Sequence, residues 1–246
     1  MCTVSFLPTR SGFMLAMNRD EQKARPRALP PRRHQTGSRE ALYPLEQSGG
    51  TWVGVNDAGL SLALINWYAK PQRDRTLCVS RGIVIPHLLA ADDIADVGVF
   101  FSDLPLTRIN PFRLIAISAG ERKVREWRWD GTALVSKRHG WKCRHWFSSG
   151  HDEALANRKR ARVVRAAMAK TPAWLRKLHG SHQPERGAFS VCMHREDAQT
   201  VSYTEIAATG RKAQMRYAGG PLCTKKPGAS RALSFAREAL AKHQPR

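Results

Sequence analysis

Two short apolar runs, residues 3–7 (TVSFL) and 13–17 (FMLAM), stand on either side of PTRSG at 8–12. β-Branched and aromatic side chains around a turn containing Pro and Gly specify an antiparallel hairpin. This is the tightest constraint in the chain, because it fixes spatial neighbours before any tertiary contact forms. A turn centred near Arg10 makes the numbers of paired residues sum to about 20, give or take about two. Cys2 is therefore expected opposite Asn18, beside Arg19, Asp20 and Glu21.

That placement has chemical content. Removal of Met1 would leave Cys2 with a thiol and a free α-amine on one residue. An α-amine with an ordinary pKa of about 7.7–8 takes the thiol proton at neutral pH without a separate histidine. Asn66 could donate to the oxyanion of a tetrahedral intermediate, Asp20 could orient the amine, and Arg19 could hold a substrate carbonyl or carboxylate. Those roles add up to amide hydrolysis. The same residues also have a purely architectural reading. A cysteine in a strand is commonly an inert small apolar residue, and Asn18, Asp20 and Asn66 are all turn- and cap-forming types.

Residues 49–66, GGTWVGVNDAGLSLALIN, carry a second hairpin, with strands at 51–55 and 60–66 joined through Asn56–Gly59. Between the two hairpins, residues 22–48 are rich in Arg and Pro, follow no helical or strand period, and read as a long surface loop. Ser80 is expected to cap a helix through Ala91, and Asp92 and Asp93 to open a short one ending near Phe101. Residues 151–170 read as a long helix with Leu155, Val163, Val164 and Met168 apolar and its basic residues mostly outward. A short helix is expected at 172–178 and a closing amphipathic one at 230–242. Further strands are expected at 112–118, 123–129, 132–137, 146–148, 189–194, 200–207 and 213–217. Strands outnumber helices, and neither a repeat nor a linker breaks the chain. The expectation is one α+β domain over residues 1–246, with antiparallel sheets covered by helices.

The formal charge of +21 is concentrated late: of 41 Lys and Arg residues, 14 lie in residues 120–170 and 13 in 171–246. A basic second half suits electrostatic contact with nucleic acid or an anionic membrane, though no recognition motif accompanies it. The five cysteines are odd in number and contain no CxxC pair, which fits a reducing compartment. With no leader-like segment and no long apolar span, a soluble cytoplasmic protein is expected. No zinc-ligand spacing is visible, and His87, His145, His151 and His194 read as scattered structural residues, so no metal site is expected.

MNRDE at 17–21 behind a Met-Cys start, followed by GGTWVGVN at 49–56, resembles the NRDE family, which includes the transport and Golgi organisation protein 2 group. The resemblance implies an N-terminal nucleophile hydrolase architecture, a four-layer αββα sandwich of two antiparallel sheets. A more distant similarity joins the chain to cysteine hydrolases of bile salts and penicillin V, through Cys2, Asp20, Gly54, Asn56, Gly59, Leu60 and Asn66. It implies that Cys2 is the nucleophile of a non-peptide linear amide hydrolase and that Asn66 helps form the oxyanion hole. The arginine of the hydrolase pattern is Met17 here, and Arg19 lies between Asn18 and Asp20. Since a one-position move reverses the face of a strand, that change would take Arg19 away from the hydrolase pocket. Asn18 and Arg19 remain the candidate substrate contacts, Ser149 stands where a second oxyanion donor is expected, and Arg186 matches a late substrate-contacting arginine. Eukaryotic relatives are linked to haem trafficking and lipid homeostasis. They imply an alternative in which the protein needs no cofactor and carries haem or another hydrophobic ligand, with Trp52, Trp67, Tyr68 and Trp146 as pocket aromatics.

Overall fold

The computed structural model describes residues 2–167 and 170–236. Its strands are β1 (Cys2–Thr9), β2 (Gly12–Gln22), β3 (Leu29–Thr36), β4 (Arg39–Leu45), β5 (Val53–Asn56), β6 (Leu60–Asn66), β7 (Phe112–Ser118), β8 (Lys123–Trp129), β9 (Leu134–His139), β10 (Arg144–Ser148), β11 (Ala198–Thr209), β12 (Lys212–Ala218) and β13 (Arg231–Ser234). The helices are α1 (Val84–Leu88), α2 (Ile94–Phe100), α3 (Glu153–Arg165) and α4 (Pro172–His179). One sheet runs β10-β1-β2-β11-β12-β13 and the other β3-β4-β5-β6-β7-β8-β9, with every strand pairing antiparallel.

The sheets stack because each supplies one apolar face to a shared interior, where Val4, Phe6, Leu15 and Met17 meet Val53, Val55, Ile65 and Ile115. The outer faces are apolar too. Leu60, Leu62 and Leu64 pack under Val84 and Leu88 of α1 and Ile94 and Val97 of α2. Met14, Ala16 and Tyr203 pack under Val164 of α3 and Leu175 and Leu178 of α4. Covering on both sides explains why LSLALIN is nearly continuous in apolar residues instead of alternating. The result is the α+β, four-layer αββα arrangement. Among the described residues no helix is long and apolar enough to cross a membrane.

The first hairpin places Cys2 opposite Arg19, one residue from the expected pairing and within its tolerance. Four expectations are corrected. Residues 22–48 form β3 and β4 in place of a loop. β3 is an edge strand, mostly exposed, whose register shifts between Leu29 and Arg32 at the Pro30-Pro31 pair. An edge tolerates prolines and arginines that a central strand would reject, so the sequence shows no strand alternation there. Residues 189–194 are irregular rather than a strand, because their backbone groups bond to three separate places: Val191 N–H to Gln183 O, Cys192 N–H to Ser181 O and His194 N–H to Gly187 O. The expected helix at 230–242 begins instead as β13, paired with β12, and residues 237–246 lie outside the described residues. The long helix ends at Arg165, shorter than expected, and Met168 lies outside the described residues.

Candidate active site

Strand alternation sorts the NRDE segment into two jobs. Phe13, Leu15 and Met17 of β2 point between the sheets, as do Cys2 and Val4 of β1. Arg19, two positions beyond Met17, keeps that orientation and joins Cys2 at a cavity of about 520 Å³ at the strand ends. The expectation that Arg19 would miss the pocket is therefore corrected: relative to the hydrolase pattern the arginine has moved by two positions, and two positions preserve the face. Its guanidinium lies 4.5 Å over the Trp52 ring and is ion-paired to Glu46. Arg25 bridges Glu46 at 2.9 Å and Glu21 at 2.8 Å, so the mouth carries a network of alternating charge.

Asn18 faces the other way. Its Nδ2 donates to His179 O at 2.8 Å and Val191 O at 2.9 Å, and its Oδ1 lies 3.0 Å from His179 Nδ1. It ties β2 to α4 and to the 181–194 segment, and it does not border the cavity, so it is not placed to touch substrate. Asp20 sits at the junction of the two environments: it borders the cavity and accepts a 2.6 Å hydrogen bond from Thr200 Oγ1. Its carboxylate lies 3.6 Å from the buried guanidinium of Arg160. Burial raises the Asp20 pKa, while Arg160 and Thr200 pull it back towards the ionised form.

Arg160 also donates to Thr3 Oγ1 at 3.0 Å and, at 3.4 Å, to the carbonyl oxygen of Cys2. One buried guanidinium thus holds both the Cys2 backbone and the carboxylate beside it. Burial pushes the Cys2 thiol up and the Asp20 charge adds to that, against the lowering effect of the Asp20 backbone N–H and of Arg19. A thiol with a raised pKa needs a base close by to be a nucleophile at neutral pH.

Asn66 closes β6, borders the same cavity as Cys2, and donates from Nδ2 to Tyr68 Oη at 2.8 Å. Ser149 is buried but does not border the cavity, and its Oγ accepts from the His151 N–H at 3.3 Å. Ser148 pairs directly with Cys2 across β10 and β1, and its buried hydroxyl has no hydrogen-bond partner among the described residues. Arg186 is exposed on the segment after α4, away from the cavity; the arginine that reaches both the Asp20 carboxylate and the Cys2 carbonyl is Arg160. Of the four aromatics named from sequence, Trp52 alone lines the cavity, whereas Trp146 belongs to the inter-sheet core.

A family model described as Transport and Golgi organisation 2 matches residues 1–165. The chain belongs to that family. Comparison with curated protein sequences gave no match. Among solved structures, the fold is similar to penicillin V acylase from Agrobacterium tumefaciens, with TM-score 0.52 and 13% identity over 87% of this chain and 82% of that one. It is also similar to two forms of conjugated bile acid hydrolase from Clostridium perfringens. A cysteine-to-alanine mutant gives TM-score 0.53 and 14% identity over 98% of this chain and 94% of that one. An arginine-to-leucine variant gives TM-score 0.54 and 12% identity over 97% and 94%. At such identities the likeness establishes the fold, which is that of the N-terminal nucleophile hydrolases.

In this Transport and Golgi organisation 2 member, much of the GVNDAGL motif serves the fold. A Cβ on Gly54 would lie 2.7 Å from Leu89 Cδ1, and Gly59 adopts φ +80° to close the hairpin. Asn56 donates to Leu89 O and Ala91 O and accepts from the Ala58 and Leu60 N–H groups, locking the turn to the helix layer. Arg160 and Thr200 escaped sequence reasoning. Arg160 had a readable signal, because it shares the i, i+4, i+8 stripe of α3 with buried Ala156 and Val164.

Proposed function

We propose that mature Cys2, formed by loss of Met1, hydrolyses a non-peptide linear amide. The observation that carries this reading is that Cys2, Arg19, Asp20 and Asn66, drawn from three strands, border one cavity. In the proposed sequence the Cys2 α-amine takes the thiol proton and Sγ attacks the amide carbonyl carbon. Asn66 Nδ2 turns from Tyr68 to donate to the oxyanion, with Asp20 holding the ammonium. Collapse breaks the C–N bond, the ammonium delivers its proton to the leaving nitrogen, and a thioester remains on Sγ. Water, deprotonated by the same amine, releases the carboxylic acid and restores the thiol.

The cavity wall fits a substrate with one polar end. Arg19, Arg25 and Glu46 favour a charged or hydrogen-bonding group at the mouth, while Trp52 and Leu64 offer a small apolar surface for an acyl chain. A carrier of haem or another hydrophobic ligand would need a mainly apolar wall, and the polar lining supports the hydrolase reading over it. The test is amine release from a panel of N-acyl amides of increasing acyl length. Turnover by the wild type that disappears in Cys2→Ala is expected. Equal rates for the two proteins across the panel would sink the proposal.

A further inference from the structure

A second cluster of nucleophilic side chains lies outside the cavity. His182, Cys192 and His194 of the 181–194 segment meet Cys223 from beyond β12, and the ligand atoms of the four all fall within 4.8 Å of one another. The separations have the proportions of a coordination shell. Cys192 Sγ lies 3.6 Å from Cys223 Sγ, and His194 Nε2 lies 3.8 Å from the first sulfur and 3.3 Å from the second. Tetrahedral zinc with Zn–S of about 2.3 Å and Zn–N of about 2.0–2.1 Å requires edges of about 3.8 Å between sulfurs and about 3.6 Å from sulfur to nitrogen. The fourth group points the same way: His182 packs edge-on to His194, ring centroids 5.0 Å apart, and its buried Nε2 has no hydrogen-bond partner among the described residues.

We propose that these four side chains form a structural Zn²⁺ site. Two thiolates and two neutral imidazoles cancel the ion's charge, so the centre can be held in a partly buried place without a residual charge, and an S₂N₂ tetrahedral set selects zinc among common divalent ions. Binding forms two Zn–S and two Zn–N bonds and releases the two thiol protons to solvent. The backbone prepares the set. Cys192 N–H bonds to Ser181 O and Val191 N–H to Gln183 O, which clamps His182 from both sides against Cys192. Cys223 is presented by a turn in which Thr224 N–H and Lys225 N–H both reach Pro221 O. None of the four borders the Cys2 cavity, and four protein ligands leave no open position for chemistry.

The site has a mechanical link to the cavity. Between Cys192 and His194, Met193 N–H donates to Thr200 Oγ1 at 2.9 Å, and that hydroxyl in turn donates to Asp20. Zinc would hold the segment that positions Thr200, and through it Asp20.

The test is metal analysis of full-length protein purified without chelator, alongside Cys223→Ser, His182→Gln and Cys2→Ala. About one zinc per chain is expected in the wild type and in Cys2→Ala, with a loss of about tenfold or more in the other two. Should Cys223→Ser not fold, Co²⁺ titration of zinc-free wild type gives an independent reading. Tetrahedral ligand-field bands with thiolate charge transfer are expected, at the same intensity in Cys2→Ala. Reduced protein with no zinc and no such bands overturns the proposal, as does a Cys192–Cys223 disulfide in freshly isolated protein.

Discussion

The molecule holds two cysteine centres that differ in almost every physical respect. Cys2 stands at the end of a strand with its thiol beside an open cavity, and its companions Arg19, Asp20 and Asn66 are hydrogen-bonding groups with room for a further molecule between them. Cys192 and Cys223 instead bring their sulfurs and the ligand nitrogens of two histidines within 4.8 Å of one another. The first arrangement suits a reaction, because the groups converge on a volume outside themselves. The second suits a bond to an ion, because the groups converge on a point among themselves. Side-chain type is shared, and the direction of convergence separates the roles.

The two centres predict opposite responses to mutation. Cys2→Ala should lower amide turnover by at least about 10⁴-fold with little change in melting temperature, whereas Cys223→Ser should do most of its damage to stability. A Cys2→Ala protein that melts far below wild type would break the contrast. Asn66→Ala should lower kcat by about 10²–10³-fold, the usual loss for one oxyanion donor, while leaving zinc content unchanged. Steady-state kinetics and metal analysis of one preparation measure both.

The side of β2 that faces the helices sharpens the comparison by joining the centres, and it is sensitive to acid. Asn18 contacts His179, whose Nε2 lies 2.8 Å from Ser5 Oγ, and the same oxygen lies 2.8 Å from His145 Nδ1. Burial lowers both histidines to about 3, His179 further through His145 and Arg160 and His145 further through Lys170. Their folded pKa values lie below the unfolded value of about 6.5, so the unfolded chain binds more protons in that interval. Stability is complete above about pH 6.5 and falls as pH drops towards 3, by up to about 4 kcal/mol between pH 7 and 5 for the pair. Urea titrations across that range measure the slope, and it should flatten above pH 7. The smallest expected effect is zinc removal at pH 7.5, which should lower the melting temperature by roughly 5–10 °C and be reversed by added Zn²⁺. The change should be absent in His182→Gln.

What the sequence disclosed follows from distance along the chain. The Cys2–Arg19 neighbourhood needs only a hairpin turn, and Asn66 needs only a second hairpin, so both were legible. The sandwich was legible through its family motif, whose Gly54, Asn56 and Gly59 lock one hairpin to the helix layer. β3 was hidden because an exposed edge imposes no alternation on its side chains. Arg160 was hidden by its charge, since RKRAR reads as a solvated face until position 160 is counted on the same stripe as Ala156 and Val164. The four potential zinc ligands could not be found by spacing at all, because the fold, and not a local loop, brings 182, 192, 194 and 223 together.

The central claim is that a free N-terminal cysteine is the nucleophile, and intact-mass analysis after brief exposure to an activated acyl substrate tests it most directly. The account predicts a chain lacking Met1 that carries one acyl group, located on Cys2 by fragmentation and lost on incubation in water. A chain that retains Met1, or an acyl group on any other cysteine, would contradict it.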